Sequence, residues 1–122
     1  MIELNINYNE SCLDTLKRIE SNTIDLILTS PPYDDLRTYN KQLNGNNDEF
    51  NGYSFPFEDI AKYLFKVLKK GGVLVWVIGD ATVKGSETGT SFRQALFFKS
   101  CGFDLYDTMI YQKTGSPFPQ KT

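Results

Sequence analysis

Apolar and polar residues alternate along this chain with two periods, one typical of strands and one typical of helices. Residues Ile24 to Thr29 form an apolar run that predicts a buried strand, and Ile2 to Tyr8 alternates apolar and polar side chains as a half-exposed strand does. A short helix is predicted between these strands, with Glu10 or Ser11 as its cap. The apolar face of this helix consists of Leu13, Leu16 and Ile19.

A longer helix followed by a strand is predicted in the middle of the chain. Apolar positions from Glu58 to Lys70 recur at helical spacing, and Gly71-Gly72 supplies residues that readily end a helix in the left-handed conformation. The run from Val73 to Ile78 is apolar at consecutive positions. Such a run is typical of a parallel strand that helices cover on both faces.

The remaining pattern completes the alternation of strands and helices, without an internal repeat. Ser91 to Lys99 predicts a helix closed by Gly102, and Asp107 to Gln112 predicts a last strand. This order predicts an α/β fold with an open, mostly parallel sheet. Ligands of such sheets bind beyond the carboxyl ends of the strands, where Ser30 and Asp80 are both expected.

Composition restricts the classes of function. The chain has 122 residues, of which 23% are charged, and this predicts one soluble domain; its longest apolar run is far too short to span a bilayer. Nothing at the N-terminus resembles a signal peptide, so the expected location is the cytoplasm. Because the chain has no histidine, no metal site is expected, and Cys12 and Cys101 are interpreted as reduced core thiols.

The charge distribution gives no overall signature of nucleic-acid binding. The formal net charge is -2, although Lys66, Lys69 and Lys70 cluster near the end of one predicted helix. Any contact with DNA is therefore expected to be local or assisted by another part.

The stretch Ser30-Pro31-Pro32-Tyr33 carries the candidate chemistry, and it has two interpretations. In one, the prolines only stop a strand, since proline lacks the N–H that a ladder needs. In the other, the prolines hold the carbonyls of Ser30 and Pro31 as acceptors that a helix or a sheet cannot easily use, while Ser30 adds a hydroxyl and Tyr33 a flat ring. That second arrangement suits a planar group that bears an NH₂, such as a nucleobase taken out of its stack.

Three segments of the chain resemble the amino-methylating DNA methyltransferases, which transfer a methyl group from S-adenosylmethionine to the N4 of cytosine or the N6 of adenine. The first is YNESCLDTLKRIESNTIDLILTSPPY, which is similar to the usual lead-in and ends in DLILTSPPY, similar to their catalytic motif. VLKKGGVLVWVIGD and GFDLYDTMIYQKTGSPFP resemble the later helix, strand and closing segments. The resemblance covers nearly the whole chain and implies a sheet of Rossmann-like methyltransferase type.

The resemblance also implies roles for individual residues. It implies that Ser30, Pro31, Pro32 and Tyr33 form the catalytic pocket, with acceptors on the hydrogens of the target amine and Tyr33 stacked on a flipped DNA base. Acceptors on both hydrogens favour the tetrahedral nitrogen that attacks the methyl group, so catalysis rests on positioning and electrostatics. Serine before Pro-Pro-Tyr favours cytosine N4, with adenine N6 as the alternative.

Further site residues follow from the resemblance. The expected cofactor-binding residues are Ser11, Thr29 and Ser30, and the expected cofactor is S-adenosylmethionine. Asp80 is expected on the substrate or cofactor side of the crevice or as a simple turn residue. Tyr111 is expected near the target base or in the core.

Two features depart from the family pattern. Glu10-Ser11 stands where relatives have Gly-Asp, and the chain contains neither the glycine-rich cofactor loop nor a recognisable target-recognition region. Residues 1–122 therefore resemble the N-terminal catalytic portion of the permuted subclass, with a long segment at 34–55 that is either a mobile lid or disordered. A missing C-terminal part or a complementing chain is the expected partner. Alone, the chain is expected to be inactive, and a silent DNA-binding or assembly module is the alternative.

Overall fold

The computed structural model describes residues 2–32 and 55–112. These ranges contain three helices and two small sheets. In chain order the elements are α1 (Cys12–Arg18), β1 (Ile24–Thr29), α2 (Phe57–Val67), β2 (Leu68–Trp76), β3 (Thr82–Val83), β4 (Ser86–Glu87) and α3 (Thr90–Cys101). The segment predicted as a lid at 34–55 lies outside the described residues except for Phe55.

Strands β1 and β2 form a parallel pair, as the sequence predicted. Leu26 lies opposite Val73 and Thr29 lies opposite Trp76. The ladder continues past β2, because the Val77 amide donates to the Thr29 carbonyl over 2.9 Å. Parallel neighbours need a long crossover connection, and α2 lies within that connection. Strands β3 and β4 form a separate antiparallel hairpin.

Helix α2 ends earlier than its apolar pattern predicted. The expected end was Lys70, but the helix stops at Val67, and Leu68 caps it by donating its amide to the Leu64 carbonyl. Leu68 then pairs with Ile24 and is buried. Lysine and leucine are good helix formers, so tertiary pairing with β1 overrides local propensity here.

The glycine pair lies inside β2 and not at a helix end. Between Ile24 and Leu26 of β1, the register on β2 moves from Leu68 to Val73, so residues 69–72 form an irregularity in the ladder. Gly71 has a φ of 86°, the positive value that was expected of a helix cap, but the residue lies in this bulge. The prediction of a glycine helix cap at this point was wrong.

The two terminal strands that the sequence predicted are not formed in the described residues. Residues 2–8 run without regular structure, and Asn5 has a φ of 62°, which turns the chain away from extended geometry. Residues 107–112 are likewise irregular and exposed. A strand needs a neighbour for its backbone N–H and C=O groups, and the described sheet supplies none to either segment.

The core lies between the helices and one side of the β1–β2 sheet. Its buried residues come from all three helices, and Ile24, Ile27, Leu74 and Trp76 of the sheet pack against them. Burial of these apolar side chains is the main stabilising term of such a small domain. The buried core residues are Leu16, Ile60, Ala61, Leu64, Val67 and Phe98.

Aromatic rings join the sheet to helix α3. Phe98 contacts Trp76 and Phe57 edge to face, with ring centroids 5.0 and 5.1 Å apart. The Trp76 indole N–H donates to Oε1 of the buried Gln94 over 2.9 Å. The one buried polar side chain of the described core is therefore satisfied.

Within residues 2–32 and 55–112, no helix covers the opposite side of the sheet, so a helix on that face stays a prediction. Leu26 and Leu28 are 58% and 68% exposed, and their partners Val73 and Val75 point to the same side. We call this surface the open face. It consists of Leu26, Leu28, Val73, Val75 and Val77.

Both cysteines are free thiols. Cys101 is half-buried against the core, as expected, but Cys12 is exposed, so its assignment to the core was wrong. Partial desolvation nevertheless raises the pKa of the Cys12 thiol. In the described ranges no helix is long and apolar enough to cross a membrane.

Gly102 closes helix α3, as predicted, and its substitution is expected to be costly. Its φ is 120°, and an added Cβ would lie 2.7 Å from Cζ of Phe65, whose ring packs against Phe103. We expect Gly102→Ala to lower the free energy of unfolding by about 2–4 kcal/mol, the sum of backbone strain and overpacking. The measurement is urea denaturation followed by circular dichroism.

Gly71→Ala is the matched control for that experiment. Gly71 also has a positive φ, of 86°, but nothing lies within 4 Å of an added Cβ. Only the strain of about 1–2 kcal/mol is therefore expected. Equal losses in the two variants would show that the Phe65 contact contributes nothing.

Candidate functional site

The Ser30-Pro31-Pro32 stretch leaves the carboxyl end of β1. Ser30 is exposed, Pro31 is buried and Pro32 is half-buried. Proline fixes φ and Pro31 is held by its surroundings, so the backbone that presents the Ser30 carbonyl is rigid. Tyr33, the fourth residue of the predicted pocket, lies outside the described residues.

The end of β2 lies directly beside this stretch. Trp76 pairs with Thr29, and the Val77 amide donates to the Thr29 carbonyl. The segments that follow β1 and β2 therefore leave the sheet at the same edge. The prediction that β1 and β2 end at one carboxyl edge of a parallel sheet is confirmed, while the position of Asp80 relative to Ser30 stays a prediction. This edge is where α/β folds bind their ligands.

Asp80 is held by the first turn of helix α3. Its Oδ1 accepts the Ser91 amide and its Oδ2 accepts the Ser91 hydroxyl, each over 2.7 Å. This pair of bonds satisfies an otherwise unpaired N–H of the helix and places negative charge at its positive end. Asp80 thus has a structural role, as the partner of Ser91 at the start of α3. A role of Asp80 in substrate binding stays a prediction.

Sequence reasoning missed Ser91 as that partner. The available signal was weak: Ser91 stands at the start of a predicted helix, where serine and aspartate commonly satisfy free amides. The helix cap position itself is Gly89, which has no side chain to serve as an acceptor. The acceptor comes instead from the segment that follows β2.

Replacing Asp80 with alanine should destabilise the fold. We expect Asp80→Ala to lower the free energy of unfolding by about 0.5–2 kcal/mol, as the loss of a helix cap does. Ser91→Ala is the control, because it removes the hydroxyl and leaves the amide bond in place, and a smaller loss is expected. Urea denaturation of both variants checks this, and an unchanged stability of Asp80→Ala would contradict the capping role.

The other predicted site residues have less definite surroundings. Ser11 stands at the cap position of α1 without a side-chain capping bond, and Thr29 is half-buried in the ladder. Tyr111 is 85% exposed, so its alternative assignment to the core was wrong. A contact of Tyr111 with the target base stays a prediction.

Glu10, the other candidate cap of α1, is engaged in a local network. Its carboxylate accepts from Arg18 and from the Thr15 hydroxyl, each over 2.7 Å, and these hydrogen bonds lower the pKa of Glu10. Because its folded-state pKa is lowered, this carboxylate contributes to stability at pH values above its unfolded-state pKa. That stability is lost as the pH falls through the folded-state pKa. The exposure of the pair limits this contribution.

Two clefts lie elsewhere in the described part of the chain, one between α2 and α3 around Phe65 and Cys101, the other around Phe57 and Arg93. Neither is lined by Ser30, Pro31 or Asp80. Within residues 2–32 and 55–112 there is also no group of three potential metal ligands.

The predicted basic cluster does not form a helical patch. Lys69 and Lys70 lie in β2, and Lys69 pairs with Asp25 over 2.9 Å. Lys66 remains in α2, where its ammonium lies 5.5 Å from the centroid of the Tyr63 ring. These three lysines therefore do not share the end of one helix.

Comparison with curated proteins gives relatives of one kind. The chain is 61% identical over 99 residues to the orphan methyltransferase M.BamHII of Bacillus amyloliquefaciens. The aligned stretch covers 81% of this chain and 33% of that protein. It is 30% identical over 129 aligned residues to the type II methyltransferase M.HinfI of Haemophilus influenzae, covering 95% of this chain and 33% of the relative.

A third relative is the type II beta methyltransferase M.BslI of a Bacillus strain, 32% identical over 117 residues, which amount to 85% of this chain and 12% of M.BslI. The chain thus spans a third or less of the length of these relatives.

No solved structure matches it. A family profile described as DNA methylase, of the N6 and N4 type, matches residues 24–122. The chain belongs to the family of amino-methylating DNA methyltransferases.

Proposed function

We propose that this chain is the catalytic portion of an S-adenosylmethionine-dependent enzyme that methylates the exocyclic amine of a DNA base, with cytosine N4 as the favoured target. The observation that carries the proposal is the position of Ser30-Pro31-Pro32 at the carboxyl edge of the β1–β2 sheet, beside the end of β2. Membership of the amino-methylating family supports the reaction class.

The residues at this edge suit the methyl acceptor. The Ser30 hydroxyl and the carbonyl of Pro31 or Ser30 accept the two hydrogens of the amine, and the ring of Tyr33 stacks on the base. Proline geometry keeps these acceptors in place before the base arrives, so little reorganisation accompanies the reaction. An aromatic amine has a delocalised lone pair, and hydrogen bonds to both N–H groups favour its localisation on nitrogen.

The same residues fit the cofactor only in part. When bound, S-adenosylmethionine supplies an electrophilic methyl group. Thr29 and Ser30 lie at the edge that would face it, while Ser11 precedes a helix of only seven residues and makes no side-chain capping bond. No glycine-rich cofactor loop is recognised in the sequence, so we place the main cofactor contacts in another part of the enzyme.

The fold and its location follow the same proposal. We place the β1–β2 pair in a larger sheet of Rossmann-like methyltransferase type, of which residues 1–122 form one portion, and we place the enzyme in the cytoplasm. DNA is the partner, through a flipped base. Adenine N6 methylation is the second candidate, because both amines need the same acceptors, and a catalytically silent DNA-binding or assembly module is the third.

A chimera tests the reaction. The matched 99 residues of M.BamHII are replaced by the corresponding residues of this chain, which are 61% identical and include the site at Ser30. The chimera is incubated with DNA and labelled S-adenosylmethionine, and methylated nucleosides are identified by mass spectrometry. We expect N4-methylcytosine. N6-methyladenine would select the second candidate, and a folded chimera without transfer, beside active M.BamHII, would overturn the proposal.

A further inference from the structure

The hairpin formed by β3 and β4 has no role in the proposed site. Thr82 pairs with Glu87 and Val83 pairs with Ser86, so Lys84-Gly85 is a two-residue loop between the strands. Both loop residues have a positive φ, 52° for Lys84 and 81° for Gly85. Positive φ at both central positions is characteristic of a type I′ turn, whose twist matches that of the paired strands. The hairpin therefore has ordinary loop geometry, with a lysine at its tip.

Lysine is an unusual residue at the first position of this loop. Type I′ turns strongly prefer asparagine, aspartate or glycine, because other side chains are crowded at positive φ. Lys84 thus holds a conformation that asparagine would adopt with less strain. Backbone strain in folded proteins is concentrated at functional positions. The strain at Lys84 therefore points to a use for its ammonium group.

The base of the hairpin is held at several points. The Thr88 amide donates to the Ala81 carbonyl over 2.8 Å, and Ala81 is buried. Arg93 of helix α3 donates to the Thr88 carbonyl over 2.7 Å and to the Thr90 hydroxyl over 3.0 Å. These bonds fix the hairpin to the first turn of α3. A fixed hairpin loses little conformational entropy when its tip binds a ligand.

The tip of the hairpin is exposed and carries groups that bind phosphate. Lys84 and Ser86 are exposed, and a Cβ added to Gly85 would meet nothing within 4 Å. Within the described ranges, Lys84 forms no ion pair. Glu87, the acidic residue of the hairpin, pairs with Thr82, one position further from the loop than Ser86. The tip thus presents an ammonium group, a hydroxyl and an unobstructed backbone, all of which contact phosphates in complexes with DNA.

The hairpin follows the sheet edge that carries the candidate site. Residues 77–81 connect β2 to β3, so Thr82 lies within about 20 Å of Trp76 even at full extension. Trp76 pairs with Thr29, the residue before Ser30. Phosphates recur about every 3.4 Å along each strand of DNA, so several phosphates on either side of a flipped base lie within that distance.

We infer that the β3–β4 hairpin is a DNA contact of this enzyme, in which Lys84 binds a backbone phosphate near the flipped base. The inference rests on the proposed function and adds a surface that holds the DNA beside the site. A local cation suits a chain whose formal net charge is -2, since such a chain has no overall attraction for DNA. Because a phosphate carries no base identity, the contact strengthens binding to target and unrelated DNA alike.

Substitution of Lys84 in the M.BamHII chimera tests the contact. The chimera contains Lys84, because a matched stretch of 99 of the 122 residues cannot leave out this position. Fluorescence anisotropy measures binding to two labelled duplexes, one that M.BamHII methylates and one of unrelated sequence, at several salt concentrations. We expect Lys84→Asn to weaken binding to both duplexes by about 2- to 10-fold. The slope of log affinity against log salt should fall by about 0.9, the value for one lost phosphate contact.

Matched variants separate the charge from folding. Lys84→Asn relieves the strain of the turn, so its melting temperature is expected to equal or exceed that of the unaltered chimera. Unfolding then cannot account for a loss of DNA affinity. Lys84→Arg keeps the charge and should retain most of the affinity. Lys62→Gln removes an exposed charge from helix α2 and should leave the affinity unchanged.

Each outcome decides the inference. A loss of affinity in Lys84→Asn that neither control shares supports it. Unchanged affinity of Lys84→Asn, an equal loss in Lys84→Arg or Lys62→Gln, or a chimera that does not bind DNA overturns it. A raised KM for S-adenosylmethionine with unchanged DNA affinity would assign Lys84 to the carboxylate of the cofactor instead.

The outcome can be separated from that of the proposed function, because DNA binding and methyl transfer are measured separately. An active chimera whose DNA affinity does not depend on Lys84 overturns the contact and leaves the reaction standing. An inactive chimera that binds DNA through Lys84 does the reverse.

Discussion

The 122-residue chain on its own is expected to transfer no measurable methyl label from S-adenosylmethionine to DNA, whereas the M.BamHII chimera does. The reason is that, in the proposed function, the chain supplies the residues that bind the target amine at Ser30 and Pro31, and no glycine-rich cofactor loop is recognised in its sequence. Without that loop, the methyl donor is not held in line with the amine. The loss of proximity alone removes many orders of magnitude from a two-substrate reaction.

The measurement is incorporation of tritiated label into DNA, with the purified chain and the chimera at equal concentration. Circular dichroism of the free chain serves as the control that it is folded. Robust turnover by the purified chain would contradict the assignment of the cofactor site to another part of the enzyme.

The second large effect is expected at the motif itself, tested in the chimera. Tyr33→Ala removes a stacking face worth about 1–3 kcal/mol, by analogy with proteins that bind single strands. Activity should fall by about one to two decades. Ser30→Ala removes one acceptor, and Pro31→Ala frees the backbone that aligns the acceptors, so both should lower the rate of transfer and leave cofactor affinity nearly unchanged.

The strand-stop interpretation of the same residues predicts another result. Since Pro31 is buried, its replacement can lower stability, and activity would then follow the folded fraction alone. Melting temperature is therefore measured beside methyl transfer for Ser30→Ala, Pro31→Ala and Tyr33→Ala. Losses that disappear after correction for the folded fraction would remove the catalytic interpretation of the motif.

The features that depend on local period and on topology were predictable from the sequence. Strand β1 has the predicted bounds, Ile24–Thr29, and helix α3 exceeds its predicted range by only a few residues, at Thr90–Cys101. The meeting of Ser30 and the β2 end at one edge followed from parallel pairing, because carboxyl ends of parallel strands lie together.

The boundary between α2 and β2 could not be read from the pattern. Leu68 fits the apolar face of the helix and the strand equally well, and only its pairing with Ile24 selects the strand. A local propensity difference of a few tenths of a kcal/mol is smaller than the gain from burying such a leucine.

The open face and the terminal segments show a second limit. An apolar pattern indicates that side chains are suited to burial, and it does not indicate which polypeptide covers them. Leu28 and Ile110 are both exposed here although their segments have strand patterns. The partner of Asp80 was equally hidden, because a carboxylate at a strand end can serve a ligand or a helix amide, and the sequence alone does not place Ser91 beside it.

Trp76 can serve as a spectroscopic reporter of the sheet edge. It is the single tryptophan of the chain, it sits among phenylalanine rings with its indole bonded to Gln94, and it pairs with Thr29, the residue before the Ser30-Pro31-Pro32 stretch. Its intrinsic fluorescence therefore arises from one position beside the candidate site. Unfolding of the core should shift that emission to the red, and quenching titrations with oligonucleotides can follow events at the sheet edge without any added dye.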